Sequence, residues 1–109
     1  MPFESCNDYF STISDRFNPE ASGGVTAVFQ WELSGAEEGT HHVSIAEGAY
    51  TYSATAHEAP TTVLVADSAD YLKIVNKQMN GLRAVLTGKM KVRGNRIFAR
   101  KMEKIFPLD

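Results

Sequence analysis

The side chains in this chain that could carry chemistry are few, and their spacing limits what they can do. His41 and His42 are neighbours in a run that alternates like a β-strand, so their imidazoles point to opposite faces and cannot readily share a metal ion. His57-Glu58 opens like the zinc-protease pattern H-E-x-x-H, but Thr61 stands where the second histidine is required and Pro60 does not belong in the helix such a site needs. Gly88-Lys89 looks like the end of a phosphate loop, yet Arg83 occupies the first glycine position and Met90 the hydroxyl position. Cys6, the single cysteine, can form neither an internal disulfide nor a cysteine-based zinc site, and no G-x-S-x-G elbow or cysteine-protease context surrounds the chain's candidate nucleophiles. It is expected to be an unremarkable thiol near the terminus. No enzymatic activity, metal site or cofactor is expected.

The segment from Lys89 to Lys104 holds seven Lys or Arg residues. An RNA-binding module would interleave exposed aromatics for base stacking, and here the only aromatic is Phe98, whose spacing assigns it to the apolar face of a helix. Nucleic acid is therefore not expected as a partner, and a nucleic-acid-binding module using the basic C-terminal half is the least favoured alternative.

These residues must be positioned by ordinary elements. Tyr9, Phe10, Ile13 and Phe17 recur at helical spacing, and Asn18-Pro19 stops the helix. From Val25 to Leu33 the apolar period changes to two, as in a half-buried strand. A second strand carries His41, Val43 and Ile45, and Glu47-Gly48 supplies the hairpin turn to a third strand, Ala49 to Ala56, with Tyr50 and Tyr52 on one face. A fourth β-rich run spans Thr61 to Ala66. Asp67-Ser68 then caps a helix with the apolar stripe Tyr71, Leu72 and Val75, and a second short helix runs from Gly81 to Thr87 and ends at Gly88. Met90 and Val92 alternate with Lys89, Lys91 and Arg93, the pattern of an edge strand guarded by charge. Gly94-Asn95 leads into a last helix carrying Phe98, Met102 and Ile105, which Pro107 stops. Strands grouped rather than regularly alternating with helices indicate an α+β domain.

Length and composition agree with one domain over residues 1–109: 43% of residues are hydrophobic and 22% charged, ordinary values for a folding chain. No run approaches the roughly 18 to 20 apolar residues that cross a bilayer, and the N-terminus lacks a secretory pattern. With a lone cysteine, a cytoplasmic location is expected. The net charge of −2 conceals a division: ten carboxylates against Arg16 alone in residues 1–67, and ten basic residues against three carboxylates in residues 68–109. Either the halves neutralise each other across the fold or the basic half meets an anionic partner such as a membrane surface.

The segment from Ala59 to Pro107 resembles the sterol carrier protein family of lipid-transfer domains. Thr61-Thr62-Val63-Leu64-Val65-Ala66-Asp67-Ser68 is similar to its strand and helix cap, and Asp70-Tyr71-Leu72-Lys73-Ile74-Val75 to the helix that follows. The most specific match is Ala84-Val85-Leu86-Thr87-Gly88-Lys89-Met90-Lys91-Val92-Arg93-Gly94-Asn95, which resembles the family block A-x-x-x-G-K-(apolar)-K-(apolar)-x-G-(Asp/Asn). The first half fits by element order. The resemblance implies a mixed five-stranded sheet covered mainly on one face by helices. It also implies non-catalytic binding, and transfer, of a lipid or other hydrophobic molecule in an apolar tunnel. The lining expected on this basis is Phe29, Trp31, Tyr52, Leu72, Val75, Met79, Leu82, Leu86, Met90, Phe98, Met102 and Ile105, each of which could equally be plain core. A transient contact of the basic half with an anionic membrane surface is part of the same expectation. The alternative is an accessory or scaffold protein that presents a lipophilic intermediate to biosynthetic enzymes.

Overall fold

In the computed structural model, which describes residues 2–108, β1 (Ala27–Ser34), β2 (Gly39–Ala46), β3 (Ala49–Ser53), β4 (Thr62–Asp67) and β5 (Met90–Gly94) form one sheet. The order across it is β3-β2-β1-β4-β5. β1 and β4 run parallel and the other neighbours antiparallel, so the sheet is mixed and the charged strand β5 is an edge. The β2–β3 corner is made by Glu47 and Gly48, both left-handed (φ 53° and 74°), the geometry whose twist matches a two-residue hairpin.

Register fixes the core. Phe29 and Trp31 pair with Val43 and His41 on one side and with Thr62 and Leu64 on the other. Leu64 and Ala66 in turn face Val92 and Met90. Period two therefore puts all of these on a single face. That face carries α1 (Cys6–Ser11), α2 (Ser68–Val75), α3 (Gly81–Leu86) and α4 (Arg96–Ile105), whose buried residues join the strands in one hydrophobic cluster. On the opposite face Arg93 pairs with Glu32 at 2.7 Å, the one ion pair among the described residues, and Gln30 bonds to Glu32 at 3.0 Å.

Side chains set the element ends. Asp67, Asn80 and Asn95 accept from the backbone N–H of Ala69 (2.8 Å), Arg83 (3.0 Å) and Phe98 (2.9 Å), capping α2, α3 and α4. Both carboxylate oxygens of Glu37 accept from the N–H groups of Cys6 (2.8 Å) and Asn7 (3.1 Å), where a negative charge suits the helix start of α1. Gly94 (φ 80°) is obligatory twice over: it is left-handed, and a Cβ there would strike the Thr61 carbonyl oxygen.

Three boundaries differ from expectation by two residues or more. The first helix does not continue to Phe17: after Ser11 the Thr12 hydroxyl bonds to the Asp8 carbonyl (2.6 Å) and the chain tightens into a 3-10 turn, Ile13–Arg16. Phe17 turns inward against Tyr50 and Phe106. The first strand begins at Ala27 rather than Val25. The third strand ends at Ser53 rather than Ala56, because the following segment is drawn across the open face: His57 N–H donates to the Gln30 side chain (2.8 Å), and the His42 ring bonds to the Thr55 carbonyl (2.6 Å).

Candidate functional site

Between α4 on one side and α2 with α3 on the other, the helical layer encloses a cavity of about 970 Å³ over β1, β4 and β5. Its floor is aromatic and buried. Phe29 and Trp31 rise from β1, Tyr9 from α1 and Tyr71 from α2, and each is no more than 5% exposed. The walls are aliphatic: Leu64, Met90 and Val92 from the sheet, Ile74, Val75 and Met79 from α2 and the link after it, Val85 from α3, and Ala99, Met102 and Phe106 from the end of the chain. Three of the wall residues are unbranched or flexible enough to adapt to an occupant's shape, Met79, Met90 and Met102.

The rim is polar and leans positive. Lys77, Arg96 and Arg100 line it with Asn80 and Glu103, so three cations stand against one carboxylate. Beside Asn80, Leu82 (71%) and Leu86 (78%) are exposed, large apolar side chains with no cover, and Ile97 (71%) on α4 is exposed too but does not line the cavity.

Lys77 occupies an unusual position. Both α2 and α3 end with the same pair of backbone bonds: Gln78 N–H to Lys73 O (2.8 Å) with Lys77 N–H to Ile74 O (3.1 Å), and Lys89 N–H to Ala84 O (2.8 Å) with Gly88 N–H to Val85 O (3.2 Å). This Schellman geometry needs a left-handed residue just past the cap, normally glycine. α3 uses Gly88 (φ 78°), while α2 uses Lys77 (φ 60°). The strained residue is the one on the cavity rim.

The floor contains the buried polar groups of the site. Trp31 Nε1 donates to the Tyr71 hydroxyl at 2.7 Å. Burial and the adjoining Tyr9 hydroxyl hold the Tyr71 phenol well above its ordinary pKa, and burial raises that of Tyr9, so both stay neutral hydrogen-bond donors.

Other candidate chemical groups lie elsewhere. Cys6 is not a peripheral thiol but 1% exposed in the core, its Sγ donating to the Ser68 carbonyl (3.2 Å). Burial first, then the neighbouring Glu37 carboxylate, pushes it up to about 12, so the thiolate that a nucleophile requires is absent at neutral pH. His41 lies flat on Phe10 (centroids 3.8 Å) and bonds to the Tyr52 hydroxyl at 2.6 Å, with its pKa lowered by burial. His42 points to the other face.

The structure brings seven of the twelve expected lining residues together on the cavity: Phe29, Trp31, Val75, Met79, Leu82, Met90 and Met102. The other five are placed differently. Tyr52 stacks with Phe10 and His41 over the β2–β3 side of the sheet. Leu72 packs on the outer flank of the core, because α2 turns Tyr71 and Val75 inward instead. Phe98 and Ile105 lie beneath α4 in the core proper, Phe98 against Phe29, since the α4 face toward the cavity is Ala99, Met102 and Phe106. Leu86 is solvent-exposed, because the buried residue of α3 is the small Ala84. Sequence reasoning missed Tyr9 and Tyr71, whose apolar-stripe positions hide their hydroxyls. Arg96 and Arg100, part of the basic segment Lys89 to Lys104, are exposed and also line the cavity.

The fold recurs in known proteins. A family model described as the SCP-2 sterol transfer family matches residues 7–107. Hydroxysteroid dehydrogenase-like protein 2 of Rattus norvegicus is 26% identical over 104 residues, which are 94% of this chain but 20% of that protein; the chain thus spans about a fifth of the curated relatives it matches. Among solved structures, palmitated SCP2L2 from Aedes aegypti superposes with a TM-score of 0.72 at 20% identity, covering 94% of this chain and 95% of that one. A ubiquinone synthesis protein, UbiJ-SCP2, superposes with a TM-score of 0.69 at 13% identity, covering 99% and 94%.

Proposed function

Because the chain belongs to the SCP-2 sterol transfer family, we propose that it binds a lipid or other hydrophobic molecule in the cavity between α4, α2 and α3, and hands it on without covalent chemistry. The observation that carries this reading is the cavity itself: about 970 Å³ of largely apolar wall, within the size range of small-molecule sites, opening through a cationic rim. Burying a methylene contributes about 0.8 kcal/mol, so about fifteen of them contribute about 12 kcal/mol. Association costs at least about 4 kcal/mol, leaving about 8, which corresponds to micromolar affinity. Such an affinity suits a carrier that must also release.

In this reading Lys77, Arg96 and Arg100 face an anionic headgroup, and the exposed Leu82 and Leu86 let the same end of the molecule rest on an anionic membrane. Each basic residue near such a leaflet contributes about 1 kcal/mol, screened over about 8 Å at physiological salt. The reading also takes the whole chain as one lipid-binding domain acting in the cytoplasm, which accords with a lone thiol kept protonated in the core. The alternative, a protein that holds a lipophilic intermediate for biosynthetic enzymes, draws on the likeness to the ubiquinone synthesis protein over nearly both lengths.

The test is native mass spectrometry of protein from its own host, then organic extraction, alongside titration with fluorescent fatty acids. A stoichiometric lipid and micromolar uptake are expected. Failure of several amphiphiles and of the extracted lipids to bind would remove the carrier reading. Vesicle-to-vesicle transfer separates carrier from presenter: a presenter binds but does not speed exchange. Co-sedimentation with anionic vesicles should fall on Arg96→Glu/Arg100→Glu and at high salt.

A further inference from the structure

The buried aromatic floor of the cavity is not built for a hydrocarbon tail. Three hydrogen-bond donors meet there, the Trp31 indole N–H and the hydroxyls of Tyr71 and Tyr9, on residues 1%, 5% and 4% exposed that all line the cavity. An indole nitrogen only donates, so the 2.7 Å contact fixes Tyr71 as its acceptor and leaves the Tyr71 phenol hydrogen unused by that bond. The Tyr9 hydroxyl adjoins Tyr71, with the rings edge-on at 5.7 Å. Among the described residues neither hydroxyl donates to any other acceptor. Whichever way the two tyrosines orient, three donors can form at most two bonds within the cluster, and one hydroxyl hydrogen remains for the cavity.

We propose that this floor is a polar subsite that takes an oxygen acceptor, a ketone or hydroxyl oxygen, on the deeply buried end of the ligand. This rests on the reading of the cavity as the lipid site and specifies its occupant: an amphiphile oxygenated at both ends rather than a plain acyl chain. A saturated tail reaching the floor would strip the hydroxyl of water and return nothing, and a buried donor left unmatched is the costly case. The cationic rim takes one polar end and the tyrosine pair the other.

The experiment compares plain fatty acids of graded chain length with acids of the same lengths bearing a 13C-labelled ketone next to the terminal methyl. Infrared spectra of the bound keto acids are recorded on the wild type and on Trp31→Phe/Tyr9→Phe/Tyr71→Phe, which also removes the indole N–H that loss of Tyr71 would free, with melting of the variant checked first. For the chain length that reaches the floor, the wild-type carbonyl band is expected at a hydrogen-bonded frequency, and in the folded variant it should return toward its hydrocarbon position. The keto-to-plain affinity ratio should drop about tenfold in the variant. A bound ketone with a hydrocarbon-like band in wild type at every length overturns the subsite, and that result needs no variant. So does an unchanged ratio in a folded variant. If neither kind of acid binds, the cavity reading itself fails.

Discussion

Replacing Lys77 by glycine should make the protein more stable while weakening its hold on anionic ligands. Lys77 ends α2 in the left-handed conformation at φ 60°, with both Schellman bonds formed, so a glycine fits the same backbone without rearrangement. An L-residue pays about 1 to 2 kcal/mol for that conformation, and glycine gives back about 0.5 to 1 through its freer unfolded chain, leaving a net gain of about 0.5 to 1 kcal/mol. In a domain of this size that raises Tm by about 2 to 6 °C. The lost rim charge is solvent-exposed, so its interaction with a carboxylate headgroup is worth about 0.5 to 1 kcal/mol, a loss of about two- to fivefold in affinity. Thermal unfolding of the ligand-free protein and displacement titrations with a matched anionic and neutral amphiphile read the two effects separately. Lys77→Ala serves as the control, since it keeps the backbone strain and removes the charge: only the affinity should change. A lower Tm for Lys77→Gly would refute the strain argument. Equal weakening of neutral and anionic amphiphiles would refute the place of Lys77 on a charged rim.

Three further outcomes are expected. Met102→Asp, at a 6% exposed position on the cavity wall, should cost about 3 kcal/mol or more and abolish uptake of amphiphiles, whereas Met102→Leu should change stability by less than about 1.5 kcal/mol; comparable melting of wild type and the aspartate variant would mean that this α4 face is wrongly assigned. His41 has its pKa lowered by burial between Phe10 and Tyr52, so the unfolded chain binds the proton more readily. Its contribution to stability should be complete above the unfolded value near 6.5 and be lost as pH falls through the lower native value, and His41→Gln should flatten the urea midpoint against pH across that interval. Cys6 should resist iodoacetamide at pH 8 until the protein unfolds, and Cys6→Ser should leave ligand uptake unchanged; rapid native alkylation would contradict its burial.

Much of this architecture was legible because it rests on local rules. The alternation through Phe29, Trp31 and Leu33, the capping side chains of Asp67 and Asn95, and the Gly88 and Gly94 stops each act over a few residues, and all are where the sequence put them. The cavity was only half legible. Six residues, Gly-Leu-Arg-Ala-Val-Leu, do not contain enough turns to define a helix face, so nothing local says that α3 buries Ala84, leaves Leu82 exposed at the cavity and leaves Leu86 exposed off it. The stripe on α4 was correctly apolar, but its division between core (Phe98, Ile105) and cavity (Ala99, Met102, Phe106) depends on where α2 and α3 stop short of it. The polar floor was invisible for another reason. Trp31 and Tyr71 are forty positions apart, and only the tertiary fold converts two apolar-stripe aromatics into a hydrogen-bonded pair.

The division of charge along the chain coincides with a mechanical seam. Residues up to Asp67 supply α1 and four of the five strands, and residues from Ser68 onward supply α2, α3, the edge strand β5 and α4. The acidic part is thus a nearly finished sheet and the basic part the cover that closes it, zipped along β4 and β5 and pinned across them by Glu32 and Arg93. That pin is exposed and adds little to equilibrium stability. Its larger effect is on the approach: opposite net charges draw the two parts together before any specific contact exists, over distances that salt controls. Sodium chloride should accordingly slow refolding much more than it shifts the unfolding midpoint, and chain halves separated between Asp67 and Ser68 should associate fastest in dilute buffer.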